Sequence, residues 1–351
     1  MIHKLKALAQ ALVGGPAASR TIMACRRTLH AILSKTWLLR GVYQAFASSN
    51  FYFEHLAVSA GIAKYNRGLS STSPRLRRNV HRLEKGLTSR HRRGSFARDY
   101  VLETVRELAD RTHELDPVER NWAMGVLKEY FASVDHDTLI DLAEEEFNTS
   151  IATLPQSHVL DLHGPMLKKT GKPVPYEKFM ELSVQRRSVR WFTDKPVKPA
   201  DFKMAVEAAL LSPSSCNRLP FRIIAGYGTI EAPRIVGLPF GAAGFGGQVP
   251  LGVAIIGDFS SYFSVRDRHG PYIDAGLFGM SLSLALETLG LSSTIINWPE
   301  VAPQDMIAKR RFRLKSHERV IFMMAIGYAD VDVLVPSSAK KSVEHMISEL
   351  R

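Results

Sequence analysis

Two stretches of this chain, Val249–Asp258 and Arg319–Gly327, run apolar almost without a break. A strand with one wet face alternates apolar and polar residues, so an unbroken run implies cover on both faces. The surrounding sequence offers that cover. Helices are predicted over Tyr176–Arg187, over Pro199–Leu211 with Pro199 in its first turn, and over Pro303–Arg311. Between the two apolar strands lies Ala275–Leu289, apolar on most sides, with Asp274 as its expected N-cap and Gly290 as its stop. Gly276, Gly279, Ser281 and Ser283 on that helix would let another backbone come close. Phe221–Tyr227 and Leu291–Asn297 read as further strands, and Lys341–Leu350 as a closing helix.

The first 150 residues have a different texture. Thr28–Ala45, Phe51–Ala63, Tyr100–Ala109, Val118–Ser133 and Asp137–Phe147 carry apolar residues at helical spacing, and strand-like alternation is absent. Between Ser150 and Pro175 the pattern dissolves into Pro155, Gly164-Pro165, Gly171 and Pro173. The expected organisation is a basic, mainly helical region over 1–150, a linker or wrapping segment over 151–175, and a sheet domain over 176–351. Charge is divided in the same sense. Residues 1–110 hold nineteen Lys/Arg against six Asp/Glu, whereas the rest of the 351-residue chain is nearly balanced.

Composition narrows the classes further. Two cysteines, Cys25 and Cys216, cannot make a disulfide framework, and no CxxC or HExxH spacing suggests a metal. No apolar run reaches the roughly 18–20 residues that a spanning helix needs. Met1–Gln10 only faintly imitates a leader, since Gln10 interrupts its short apolar stretch, so the expected location is the cytoplasm. Gly241–Gly247 looks like a nucleotide loop, but it follows Pro239-Phe240 and precedes a strand. A dinucleotide fingerprint needs a strand before it and a helix after it. The segment is expected to be a mobile loop, a candidate cover for an active site.

Chemistry concentrates in four short segments. Arg186-Arg187-Ser188-Val189-Arg190 sets forked guanidinium donors and a hydroxyl at a helix end. Such groups suit a phosphate or a carbonyl edge, and they equally suit a helix C-terminus that attracts positive charge. Pro213-Ser214-Ser215-Cys216-Asn217 is a turn with small side chains and an amide that both donates and accepts. Cys216 has no His or Asp at a nucleophile's spacing and reads as a small filler. Asn297-Trp298 ends a strand, where backbone N–H groups can meet a ligand and where a Trp also serves as ordinary core. Lys340-Lys341 offers point charges for a phosphate, or merely an exposed helix start.

In order and interval these segments resemble the nitroreductase family over about residues 176–351. The resemblance implies an α+β fold, a mixed or antiparallel sheet flanked by helices, here preceded by a mainly helical region. It implies FMN as cofactor and an obligate homodimer packed across the long central helix that Ala275–Leu289 matches. By the same resemblance Arg186, Arg187 and Ser188 contact FMN, with Arg190 either joining them or bracing the fold. Pro213, Ser214, Ser215 and Asn217 would lie along the flavin, Asn297 and Trp298 would supply a backbone donor near N5, and Lys340 and Lys341 would close the phosphate site. Family members often carry Gln-Pro after the Asn, whereas this chain has Arg218-Leu219-Pro220, which leaves the role of Arg218 open. The implied activity is hydride transfer from NAD(P)H through flavin to a small-molecule electron acceptor. No general acid is identifiable, so no catalytic residue is assigned and the acceptor is unnamed.

The run His81-Arg82-Leu83-Glu84-Lys85-Gly86-Leu87 is similar to a nitroreductase subgroup associated with bacterial polysaccharide biosynthesis. Around it, Arg75–Arg98 holds nine Lys/Arg and one acid, Glu84. A competing expectation is therefore a flavin-fold accessory protein whose basic region binds a partner, an anionic membrane surface or a polysaccharide, giving a peripheral position at the membrane. A solvated basic face accounts for such a run equally well. Aromatic residues do not interleave these arginines, which argues against stacking on nucleic-acid bases.

Overall fold

The computed structural model describes residues 51–68, 73–152 and 164–350. The helix predicted over Thr28–Ala45, the leader-like opening and Cys25 lie outside the described residues. The chain separates into two compact units between Tyr52 and Phe53, and the second holds nearly all of the described residues.

Among the described residues, five helices come first: α1 (Tyr52–Asn66), α2 (Pro74–Leu87), α3 (Val101–Arg111), α4 (Pro117–Phe131) and α5 (Thr138–Ala152). Helices α2 to α5 close around a core of their own, built from Leu76, Val80, Leu83, Val105, Leu127 and Tyr130 among others. On α2, Leu76, Val80 and Leu83 recur at helical spacing, so one face goes inward and the arginines between them go elsewhere. Helix α1 packs differently, setting Ala57 and Val58 against Phe259.

Residues 164–175 form neither helix nor strand. The chain then runs through α6 (Tyr176–Gln185), α7 (Pro199–Ala209), β1 (Phe221–Tyr227), α8 (Gly228–Val236), β2 (Leu251–Asp258), α9 (Gly270–Thr288), β3 (Ser292–Asn297), α10 (Ala302–Arg311) and β4 (Glu318–Gly327). The four strands pair in the order β1-β2-β4-β3, antiparallel throughout. The expected α+β architecture, a sheet flanked by helices after a helical region, is the one observed. Every residue of β2 and β4 is buried, as two-sided cover requires.

The two faces have separate cores. Leu251, Val253 and Ile255 of β2 turn toward α7 and α9, meeting Phe202, Phe278, Leu282 and Leu286. Ala254 and Ile256 turn the other way, toward Ile235 and Val236 of α8 and Ala308 of α10. On β4 the alternation slips at a bulge: Ile255 pairs with Phe322 but Ile256 with Val320, which leaves Ile321 unpaired. Ile321 and Phe322 consequently share the α9 face. Burying the Phe278, Leu282 and Leu286 side chains contributes about 1.5–3 kcal/mol each, so α9 is held firmly by one face.

Several expectations need correction. Helix α9 begins at Gly270 with a proline in its first turn, so Asp274 sits inside the helix and is not its cap. One side of α9 is open in the single chain, where Ile273, Leu277 and Met280 are exposed at 60%, 44% and 46%. The closing helix does not form. Residues 334–350 are exposed along their length and hold only a short turn at Val343–His345, and a short helix that buries no face is marginal in water. The Gly241–Gly247 segment is anchored, not free: Ala242 and Phe245 enter the α8-side core.

The basic run also divides once folded. Arg75 pairs with Glu103 and Glu107, Arg78 lies over the Phe263 ring, and Arg82 lies 3.7 Å from the centre of Tyr100. Arg90, His91, Arg92 and Arg93 remain exposed after α2 ends. The aromatic partners that the linear run lacks are Tyr100, just past its end, and Phe263, far along the chain.

Candidate functional site

The Arg186–Arg190 segment leaves the end of α6 and is stitched between β3 and the chain after β4. Ser188 bridges Ser293, Val189 N–H donates to the Ser293 carbonyl at 3.2 Å, and Phe192 bridges Ala329. Thr193 N–H donates to the Tyr328 carbonyl at 2.9 Å, and the Gln248 amide donates to the Arg190 carbonyl at 2.8 Å. Val189 and Phe192 point into the core, which fixes the backbone and turns the polar side chains outward.

Arg186, Arg187 and Ser188 are half-buried, and Arg190 is exposed. The buried Nε of Arg186 has no hydrogen-bond partner, and neither has the buried Oε1 of Glu287 in the last turn of α9. Burial pushes the Glu287 carboxyl above its usual range, and the Arg186 charge pulls it back. A buried guanidinium N–H without a partner is costly, and an anion or carbonyl oxygen would satisfy it. The donor set therefore fits a phosphate or a flavin's carbonyl edge.

The second segment is shaped by the other end of α9. Asp274 Oδ2 accepts from the Ser214 hydroxyl at 2.6 Å and from Ser215 N–H at 2.9 Å. Ser214 Oγ in turn accepts from Leu219 N–H at 2.8 Å. Within this knot Cys216, Asn217 and Leu219 all adopt positive φ, near 50°, a region that non-glycine residues seldom enter. Pro213 and Ser215 face solvent, while Ser214, Cys216 and Asn217 are half-buried. Arg218, whose role the sequence leaves open, is buried with its guanidinium 4.7 Å from the centre of the Tyr262 ring. Burial raises the Asp274 carboxyl, against the pull of its bonds from Ser214 and Ser215.

These two segments are not brought together within one chain. Glu287, which faces Arg186, and Asp274, which holds Ser214, are thirteen residues apart on one helix. At the helical rise that is about 20 Å, longer than an isoalloxazine ring. Asn297 ends β3, about 13 Å beyond the Ser293 that Ser188 bridges, and is exposed. The Trp298 side chain is core, with its indole N–H donating to Asp305 at 2.9 Å, so only its backbone is free for a ligand role. Lys340 and Lys341 stand exposed on the C-terminal tail, and no ion pair or hydrogen bond among the described residues ties them to Arg186–Ser188.

An open cleft of about 580 Å³ lies elsewhere, lined by Arg75, Tyr100, Glu103, Arg106 and Glu107. Its arginines are already paired, Arg106 with Glu146 at 2.7 Å and Arg75 with Glu107 at 2.8 Å, so it offers a ligand little uncompensated charge. Among the described residues no cluster of His, Cys, Asp and Glu could hold a metal, and no helix is long and apolar enough to cross a membrane.

Residues 184–232 match the model of the Nitroreductase family, a span that contains both the Arg186 and the Ser214 segments. No curated protein matches the chain. Among solved structures, a nitroreductase family protein from Streptococcus pneumoniae aligns at 23% identity and TM-score 0.43, covering 49% of this chain and 100% of its own. An FMN-dependent nitroreductase from Clostridium difficile aligns at 22% and 0.39, covering 45% and 91%. A nitroreductase-like protein from Streptococcus mutans aligns at 18% and 0.44, covering 50% and 100%.

Proposed function

We propose that the protein is an FMN-dependent oxidoreductase whose flavin sites are each built from two copies of the chain. The observation that carries this reading is the placement of Arg186 and Ser214 at opposite ends of α9. A two-fold axis across α9 would bring the Ser214–Asn217 loop of one copy to the Arg186–Ser188 segment of the other, and the exposed Ile273, Leu277 and Met280 stripe would be covered in the same step. The homodimer is then a condition of the site.

In this reading Arg186, Arg187 and Ser188 hold the phosphate or the carbonyl edge, with Lys340 and Lys341 arriving from the tail. Asn217 orients the ring from the other copy, and the Asn297 and Trp298 backbone faces N5. When bound, FMN would supply the hydride chemistry, with NAD(P)H as reductant and a small molecule as acceptor. The chain's own part is to position the ring, exclude water and place positive charge beside it. The likeness of His81–Leu87 to the polysaccharide-associated subgroup motivates a role in polysaccharide biosynthesis. The exposed Arg90–Arg93 turn supports a second, compatible reading, in which the helical region meets an anionic surface or polysaccharide.

The purified protein should be yellow, heat should release unmodified FMN, and NADH or NADPH should bleach the bound flavin without oxygen. Colourless protein that also fails to bind added FMN contradicts the proposal.

A further inference from the structure

Arg77 belongs to α2, in the helical region, yet its Nε–H donates to the backbone carbonyl of Asn217 at 2.5 Å. We propose that Arg77 is a positioning residue, fixing the Asn217 peptide and so tying the candidate cofactor loop to the N-terminal helices. The loop's cofactor role rests on the flavin reading above, whereas the contact itself does not.

The loop needs such a restraint. Cys216, Asn217 and Leu219 are held at positive φ without glycine, a conformation that persists only where its surroundings over-determine it. Asp274 fixes the first half of the loop, through Ser214 and Ser215. The carbonyl of Asn217 is fixed by Arg77.

Arg77 is itself held rigidly. Its Nη1 pairs with Glu119 at 3.3 Å, its guanidinium lies 5.3 Å from the centre of the Trp122 ring, and its side chain is 13% exposed. Glu119 also accepts from the Ser73 hydroxyl, just before α2 begins. The planar fork explains the residue type: one edge can meet a carboxylate while Nε meets a carbonyl, which a lysine ammonium cannot reproduce. The helix carrying it is locked by Leu76, Val80 and Leu83, so the position of Arg77 is set by the helical core. A displacement of that core is passed to the Asn217 carbonyl by the Arg77 side chain. The helical region thereby becomes part of the site's support, beyond any role its exposed charges have.

Cys216 provides a readout inside the loop that does not depend on flavin. In a Cys25→Ser background, the flavin-free protein is treated with an aromatic disulfide and the rate of Cys216 modification is measured. Arg77→Met, which keeps the packing over Trp122 but removes the donor, should speed modification by about tenfold or more through local opening. The same variant should weaken FMN binding by about tenfold and alter the visible circular dichroism of bound flavin. Arg77→Lys should fall between Met and wild type, and it keeps the test open if the Met variant does not fold. Arg93→Ala, on the exposed turn, should change none of these. An unchanged Cys216 rate in either Arg77 variant overturns the proposal. So does a faster rate with FMN affinity and dichroism unaltered. Wild-type protein that binds no FMN refutes the flavin reading instead, and the modification rates still report whether Arg77 holds the loop.

Discussion

The carboxylate of Asp274 accepts the Ser214 hydroxyl at 2.6 Å, joining the second turn of the long helix to the loop that carries Asn217. The same oxygen takes Ser215 N–H, so one side chain satisfies two donors of a turn whose backbone is unfavourable on its own. What reads in sequence as a helix cap is in the fold a cap for a different segment.

Asp274→Ala should leave those donors without a partner and cost about 1–3 kcal/mol. Asp274→Asn keeps an acceptor oxygen and removes a buried charge, so it should cost much less. Urea denaturation of both variants measures the difference, and a negligible loss in Asp274→Ala would show that the carboxylate is not the loop's template.

The strands and most helices are legible in the sequence because their burial leaves a periodic mark. Phe221–Tyr227 is observed with the predicted limits, and β2 and β4 begin or end within two residues of theirs. Helix α2 is hidden by its arginines, although Leu76, Val80, Leu83 and Leu87 carry the period plainly. Helix α8 is hidden because Pro233 reads as a breaker. The candidate site is legible as residue types but not as an arrangement. Nothing in one dimension shows that Arg186 and Ser214 lie at opposite ends of α9, that Arg218 is buried, or that Arg77 reaches Asn217. Those relations come from which faces α2 and α9 turn inward, and periodicity fixes a face without naming what covers it.

Helix α1 approaches the sheet through Gly61. A Cβ there would lie 2.4 Å from the Phe259 carbonyl oxygen, and backbone cannot yield as a flexible side chain does. Gly61→Ala should therefore destabilise the protein by about 1–3 kcal/mol despite the better helix propensity of alanine. A neutral or stabilising result in chemical denaturation would contradict this docking.

His317, 3% exposed, has Nε2 3.2 Å from the Lys64 ammonium and 3.7 Å from Asp258. Burial holds the imidazole below its usual range; Asp258 opposes that, and Lys64 adds to it. The unfolded chain takes up this proton near pH 6.5, while the folded protein resists it until a lower pH. The stability contributed is thus present above about pH 6.5 and is lost as the pH falls toward the folded value. His317→Gln keeps an acceptor for Lys64 without titrating. The stability difference between wild type and this variant should shrink from about pH 7.5 to about pH 5.5, and a constant difference would count against a neutral His317.

Arg92→Ala with Arg93→Ala should reduce binding to anionic vesicles or acidic polysaccharide, and raised salt should weaken binding to the wild type. Flavin affinity should be unaffected. Changing Arg78 or Arg82 is a poorer probe, because their rings Phe263 and Tyr100 belong to the folded structure. Absence of binding at low salt would make the turn a solvated surface only.

If each site takes Arg186 from one copy and Asn217 from the other, two defective variants should complement. Arg186→Ala and Asn217→Gly, the glycine keeping the positive φ accessible, should each bind FMN poorly. Refolded together at equal amounts, they should regain about one intact site in four, because half the dimers are hybrids with one site restored. No recovery would place both residues at the same copy's site or at none.

The proposed flavin site is tested by the FMN retained per chain when flavin is added back to flavin-free protein and the free ligand is removed. One FMN per chain is expected, with an affinity lower by about 1.5–3 kcal/mol in Arg186→Ala, as follows from the loss of a charge-assisted hydrogen bond. No retained flavin in the folded wild-type protein, or retention indifferent to Arg186, would contradict a flavin held by these residues.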